Sequence, residues 1–160
     1  KKFKNLITIL VPRHINRSEE IKKELEKLKL KISERSSGNI PPDDCDIYIV
    51  NTYGEMSKFL RLSNVTFVGG SIVNHGGQNP LEAVRMGNYV MHGKKVNNFK
   101  EIYKELKNLK ISSEIKNIDQ MEKVFVKNHN YKISNSKLNK INYLGAKIFE
   151  NNVKEIKNYL

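Results

Sequence analysis

Residues 65–93, VTFVGGSIVNHGGQNPLEAVRMGNYVMHG, decide how the rest of the chain is read. A short apolar run of β-type residues, VTFV, opens the stretch, and a second, YVMH, nearly closes it. Between them PLEAVRM has helical spacing, with Pro80 at a favoured first helical position and Gly87 where a helix stops. Strand, helix and strand in this order form a crossover unit, the connection that two parallel strands require. The loop that enters the helix carries Gly69, Gly70, Gly76 and Gly77. Each glycine costs about 0.5–1 kcal/mol of conformational freedom against alanine, so the loop implies special turns or close approach to the backbone, here read as the approach of a ligand.

The alternation extends in both directions. LITILV (6–11) reads as a buried strand, and RSEEIKKELEKLKL (17–30) as an amphipathic helix with Ile21, Leu25 and Leu28 on one stripe and Asn16 with Glu19 as a capping box. KISER (31–35) is a short strand, SSGNIPPDDC (36–45) a loop, DIYIV (46–50) a strand and EMSKFLRLS (55–63) a helix. Beyond the central unit come a helix over 99–109, which Asn98 and Glu101 are placed to cap, the segment SSEI (112–115), a helix from Asp119 and a long lysine-rich helix within 136–159. This order predicts an α/β fold with a mainly parallel sheet flanked by helices, and 160 residues suit a single domain, 1–160.

The net charge of +12 admits nucleic acid, an anionic membrane face or a phosphorylated substrate as partner. The excess is mostly lysine beside many asparagines and isoleucines, which also reads as compositional bias written on solvated helix faces. With no basic stripe interleaved with aromatics and no zinc-finger or RNA-binding signature, nucleic acid is not expected. Cys45 is the single cysteine, which excludes an internal disulfide, and it is expected as a small buried hydrophobe. His14, His75, His92 and His129 are scattered without metal-ligand spacing, so no metal is expected. No apolar run approaches the roughly 20 residues that span a bilayer, and a soluble chain is expected.

In open α/β sheets ligands bind beyond the C-terminal ends of the strands. PRH (12–14), NTYGE (51–55), GGSIVNHGGQNPLE (69–82) and HGKK (92–95) all fall there. Glycine-rich turns ahead of helices offer N–H groups to anions, phosphate above all, and Arg13 adds a cation. The familiar nucleotide loops do not fit: GGSIVNHGG is not GxGxxG, and GNYVMHGKK (87–95) lacks the spacing and the Ser/Thr of a Walker A loop. Ser71 and His75 lack the G-x-S-x-G setting of a hydrolase, which leaves His75 an orienting or structural loop residue. Glu82 has two readings: Asn79, Pro80 and Glu82 fit N-cap, N1 and N3 of a capping box, or the carboxylate faces a pair of sugar hydroxyls.

ILVPRH (9–14), YGEMSKFLRLSNVTFVGGSIVNHGGQNPLEAVRMGNYVMHG (53–93) and NNFKEI (97–102) together resemble the Kdo transferases, the 3-deoxy-manno-octulosonic acid transferases of lipopolysaccharide synthesis. The resemblance covers about residues 6–106 and is most specific over 54–82. It implies the GT-B architecture of two Rossmann-like domains, with this chain as most of the C-terminal domain that binds the donor, CMP-Kdo. The implied acceptor is a phosphorylated lipid A precursor at the cytoplasmic face of the inner membrane of a Gram-negative bacterium, and the basic surface would help the whole enzyme sit on that anionic membrane.

The family's CMP-contacting motifs fall on Pro12, Arg13, Tyr53, Gly54, Glu55, Asn79, Pro80, Leu81 and Glu82, with Gly70, Ser71, His75, Gly76, Gly77 and Lys94 as further candidates for donor contact. By this resemblance backbone at Pro12 and Arg13 reads cytosine, Gly54 and the turn at Asn79 and Pro80 receive phosphate, and Glu82 binds ribose hydroxyls. After Gly93 the chain departs from the family, with Lys94, Lys95, Val96 and Asn97 where a proline and an aromatic are usual. No cofactor beyond the donor and no metal are implied. The family's catalytic base is a glutamate of the N-terminal acceptor domain, so 1–160 is expected to be a donor-binding part, N-terminally incomplete, without catalytic residues and inactive alone. The alternatives are a GT-B transferase using a UDP-sugar and a non-catalytic basic module binding nucleic acid or anionic lipid.

Overall fold

The computed structural model describes residues 3, 6–38 and 40–157. They fall into two compact units, Lys1–Phe59 and Leu60–Leu160. The α/β character and parallel pairing expected from the sequence are present, with the six strands divided between two three-stranded parallel sheets.

In the first unit β1 (Thr8–Leu10), β2 (Ile32–Glu34) and β3 (Ile47–Ile49) form a sheet of order β1-β3-β2. Ile47, Tyr48 and Ile49 of the central strand are all buried, which is why β3 is written without a polar alternate. The helix α1 (Ser18–Glu26) joins β1 to β2 and is shorter than the periodicity suggests. Lys29 takes a left-handed φ of 56° and Leu28 is 67% exposed, so the apolar stripe does not reach Leu28. The expected Asn16–Glu19 capping box is absent as well. A 3₁₀ turn, Ile15–Arg17, runs straight into α1, so Asn16 is already inside a helical turn, while Arg17 pairs with Glu20 at 3.1 Å. Cys45 is buried as expected, its thiol 3.2 Å from the Ile47 carbonyl and its pKa pushed up by that burial.

The helix α2 (Met56–Leu62) leads from the first unit into the second. There β4 (Val65–Val68), β5 (Tyr89–His92) and β6 (Ser112–Glu114) pair in sequence order, all parallel. The helix α3 (Leu81–Arg85) crosses from β4 to β5, and α4 (Lys100–Asn108) from β5 to β6. α5 (Ile118–Asn128) and α6 (Asn135–Lys157) complete the unit, and positions 158 and 159 of the expected last helix lie outside the described residues.

The pleat of β5 sends Val90 to one side and Tyr89 with Met91 to the other. Val90 joins Val68, Leu81, Val84, Tyr103, Leu106 and Ile141 in the larger core, whereas Tyr89 and Met91 pack with Ile115, Met121 and Val124. A polar pin crosses the larger core's edge: fully buried Asn88 accepts from the Thr66 hydroxyl at 2.6 Å and donates to the Leu60 carbonyl at 2.7 Å. The expected Asn98–Glu101 cap is not formed, because a 3₁₀ turn, Asn97–Phe99, precedes α4 and leaves no side-chain cap. Asn117 is the capping residue that periodicity missed; its Oδ1 accepts from the Gln120 N–H at 2.9 Å.

Candidate functional site

In the first unit the loops that matter leave the C-terminal ends of three neighbouring parallel strands. Leu10 of β1 and Glu34 of β2 both stand in register with Ile49 of β3. Their continuations therefore share one sheet edge: Pro12 and Arg13 after β1, Arg35 after β2, and 51–55 after β3. Pro12 is partly buried and Arg13 exposed. Tyr53 is 85% exposed, and Gly54 sits at the turn with φ +76° and nothing within 4 Å of where a Cβ would stand, so this glycine is required by its backbone angle and not by crowding.

Glu55 is held from three sides. Arg35 donates to both of its oxygens, Nε to Oε2 and Nη2 to Oε1, each at 2.9 Å; the Thr52 hydroxyl donates at 2.5 Å, and Lys58 Nζ lies 3.2 Å away. The bond from Arg35, then that from Thr52, pull its pKa down to about 2. Its carboxylate is thus committed to the unit's own structure, and so is the Glu55 carbonyl, which accepts from Lys58 N–H at 3.0 Å. Asn51 fastens the same edge a second time. It accepts from Ser36 N–H at 2.9 Å and donates to Glu34 Oε1 at 3.1 Å and Ser36 Oγ at 2.8 Å.

The glycine-rich loop lies wholly in the second unit, and much of its glycine is explained by the chain itself. A Cβ on Gly76 would meet the Asn98 side chain at 2.5 Å, one on Gly77 would meet Val96 at 3.1 Å, and one on Gly93 would meet the Ser71 carbonyl oxygen at 2.4 Å. Loop 69–80 is therefore laid against loop 93–99 and stitched to it. Lys95 N–H donates to the Ser71 carbonyl and Asn98 N–H to the Gly76 carbonyl, at 2.8 and 3.1 Å, while Gly77 N–H closes loop 69–80 on itself by donating to the Gly70 carbonyl at 3.0 Å. The Ser71 hydroxyl is fully buried, donates to the Val68 carbonyl at 2.7 Å and accepts from Gly93 N–H at 2.8 Å. A hydroxyl used in this way is neither a nucleophile nor open to a ligand. The Tyr103 hydroxyl fixes the loop's far end by donating to the Gln78 carbonyl at 2.9 Å.

Other members stay open. His75 and Lys94 are exposed. Lys94 lines an open cleft of about 730 Å³ together with Phe67, Ile72, Gly93, Glu114 and Lys116. His92 is 6% exposed, with Nδ1 2.8 Å from the Gly93 carbonyl oxygen and its ring 4.3 Å from that of Tyr103; burial lowers its pKa and keeps the ring neutral.

At the entry to α3, Asn79 Oδ1 accepts from Leu81 N–H at 3.0 Å, and both Pro80 and Leu81 are buried. The expected capping box is not formed: the N-cap of α3 is Pro80, which has no side-chain cap, and Asn79 closes the turn one residue before it. Glu82 is exposed; its carbonyl accepts from Met86 N–H at 3.1 Å, while its carboxylate makes no hydrogen bond or ion pair among the described residues. Among those residues no three His, Cys, Asp or Glu side chains gather as metal ligands, and no helix is long and apolar enough to cross a membrane. Sequence reasoning missed Arg35 and Asn51 because their roles depend on β2 lying beside β3, which no local pattern announces.

No protein-family model matches the chain. It is 37% identical over 105 residues, 66% of its length, to the 3-deoxy-D-manno-octulosonic acid transferase of Haemophilus influenzae, and 30% identical over 94% of its length to that of Rickettsia bellii. A bifunctional glycosyltransferase/methyltransferase of Fusobacterium nucleatum is 31% identical over 87% of the chain. The chain spans 25%, 31% and 22% of the lengths of these three relatives. Among solved structures, the C-terminal CMP-Kdo binding domain of WaaA from Acinetobacter baumannii matches with a TM-score of 0.72 and 29% identity, over 76% of this chain and 63% of that one.

Proposed function

The chain is a relative of the 3-deoxy-D-manno-octulosonic acid transferases, matched to their CMP-Kdo binding domain, and on that footing we propose that it supplies the donor-binding part of such an enzyme. The complete reaction is transfer of Kdo from CMP-Kdo to a hydroxyl of a phosphorylated lipid A precursor on an inner-membrane surface. The observation that carries the reading is the likeness, in both sequence and fold, to a domain described as binding CMP-Kdo.

The chain's own groups have sensible duties in that reading. Pro12 and Arg13 with the Tyr53–Gly54 turn form one set of donor contacts, and Asn79 to Glu82 form the other. Glu82 is suited to ribose hydroxyls because its carboxylate is exposed and unspent among the described residues. Arg13, Lys94 and free N–H groups would offset the negative charge that builds on the departing CMP, the role a metal plays elsewhere. No metal and no cofactor beyond the donor enter this mechanism. A base from outside this chain would deprotonate the acceptor hydroxyl, so the 160 residues alone bind CMP weakly and transfer nothing.

The test is a calorimetric titration with CMP, with UMP as control, on the chain and on Glu82→Ala. Saturable binding of CMP over UMP, weakened by the substitution, supports the reading. Equal or tighter binding of UMP favours a transferase that uses a UDP-sugar. Binding to anionic lipid or nucleic acid with steep salt dependence and no nucleotide effect would return the chain to a basic module.

A further inference from the structure

Tyr53 is 85% exposed, and Gly54 beside it has no neighbour within 4 Å of its Cβ position. Packing therefore does not hold this turn in place, and φ +76° at a glycine is an angle the backbone leaves easily. What fixes the turn is the polar attachment on either side of it. Thr52 before the turn and Glu55 after it are joined through the Glu55 carboxylate, and Arg35 donates to both oxygens of that carboxylate while Lys58 donates to one.

We infer that Arg35 is a positioning residue for the donor site, clamping Glu55 so that the 52–54 turn keeps the shape in which it meets the nucleotide. The inference rests on the donor-site reading of that turn. The residue type fits the task, because two parallel N–H donors at equal distance need a guanidinium and a lysine offers only a point charge. The guanidinium is itself anchored, since Arg35 follows directly on β2 and interacts with the buried Tyr48 of β3. Asn51 ties the same two strand ends, bridging Ser36 and Glu34, so the clamp closes on a fixed base. Arg35 makes no claim on the reacting atoms; it acts through Glu55.

The groups facing Glu55 are Arg35, Thr52 and Lys58, and the next carboxylate along, Glu34, is engaged by Lys22 and Asn51. With Arg35 present Glu55 stays ionised down to about pH 2, so nucleotide binding carries no pH dependence from this group between pH 4 and 7. Without Arg35 only Thr52 and Lys58 hold the charge, and protonation of Glu55 moves up toward the ordinary carboxylate range.

The experiment measures the CMP dissociation constant and the melting temperature of the chain, Arg35→Met and Arg35→Lys at pH 7 and pH 4.5. Arg35→Met is expected to weaken CMP binding by about tenfold, as a turn that is well formed only a fraction of the time lowers apparent affinity by that fraction. Its loss should deepen at pH 4.5 relative to the unsubstituted chain, and Arg35→Lys should recover part of the affinity. The inference is overturned if Arg35→Met binds CMP within twofold of the unsubstituted chain at both pH values, or if its loss is independent of pH and Arg35→Lys restores none of it. Absence of CMP binding by the unsubstituted chain would instead remove the donor-site reading, and this inference with it.

Discussion

Gly93→Ala is the substitution that most directly probes how the glycine-rich loop is built. Gly93 has no left-handed backbone angle to defend, so the outcome depends on space alone. An alanine Cβ would stand 2.4 Å from the Ser71 carbonyl oxygen, 2.6 Å from its carbon and 2.9 Å from Ile72 N, all backbone atoms of the opposite loop. Ordinary contact begins near 3.4 Å, so the loops must part by roughly 1 Å, an overpacking cost of about 1–3 kcal/mol. Parting also stretches the 2.8 Å bond from Gly93 N–H to Ser71 Oγ, worth about 1 kcal/mol. The lower chain entropy of unfolded alanine returns about 0.4–1 kcal/mol, for a net destabilisation of about 1–3.5 kcal/mol. At about 2–4 °C per kcal/mol in a chain of this size, the melting temperature should fall by about 2–14 °C. Gly69→Ala is the matched control, since nothing lies within 4 Å of its Cβ position and its φ is ordinary; it should be neutral or gain up to about 1 kcal/mol. Thermal unfolding followed by circular dichroism, without ligand, reads both. If Gly93→Ala melts like Gly69→Ala, the loops do not pack as described and the account of the glycines is wrong.

Asn88→Ala should cost about 2–4 kcal/mol in a urea titration, because it strips partners from the Thr66 hydroxyl and the Leu60 carbonyl in a buried place. Glu82→Ala should leave the melting temperature within about 1 °C, as expected of an exposed group without partners, while CMP affinity falls at least about tenfold; a matching loss of stability would mean that the carboxylate serves the fold. For buried His92, whose folded pKa lies below the unfolded value near 6.5, the unfolded state binds the proton first. Stability from this group is complete above that value and is lost as pH falls through it toward the folded pKa, with a slope of at most about 1.4 kcal/mol per pH unit, and His92→Gln should flatten the melting curve's pH dependence there.

Where the sequence reading succeeded, one local rule had no rival. The run 65–93 fixes a strand, a crossover helix and a parallel strand through period and punctuation, and β4, α3 and β5 follow it within a residue or two. Caps were less readable, because Asn16 and Asn98 satisfy the composition of a cap while short 3₁₀ turns enter α1 and α4 ahead of them. Asn117 caps α5 by the same chemistry in a place where no turn precedes the helix. The division of six strands into two sheets was out of reach, since strand pairing is a long-range choice that alternating elements leave open. The Arg35–Glu55 clamp joins residues 20 positions apart and depends on β2 flanking β3, so neither period nor motif could reveal it.

The same contrast sharpens the candidate site. A glycine, a serine and a glutamate can each be written into a loop for a ligand or for the chain, and their types do not distinguish the two. Their commitments do. Gly76 and Gly77 are explained by their left-handed backbone angles, Gly93 by backbone atoms pressed against it, Ser71 by its two hydrogen bonds, and Glu55 by Arg35, Thr52 and Lys58. Glu82 and Tyr53 are exposed beyond anything the fold requires of them, and Lys94 is exposed and lines a cleft. A polar or aromatic group that the fold neither buries nor pairs is the group a donor nucleotide can recruit without undoing structure. Stability and affinity should therefore respond to different residues: substitutions at the committed positions lower the melting temperature first, and substitutions at Glu82, Tyr53 and Lys94 lower nucleotide affinity at an unchanged melting temperature.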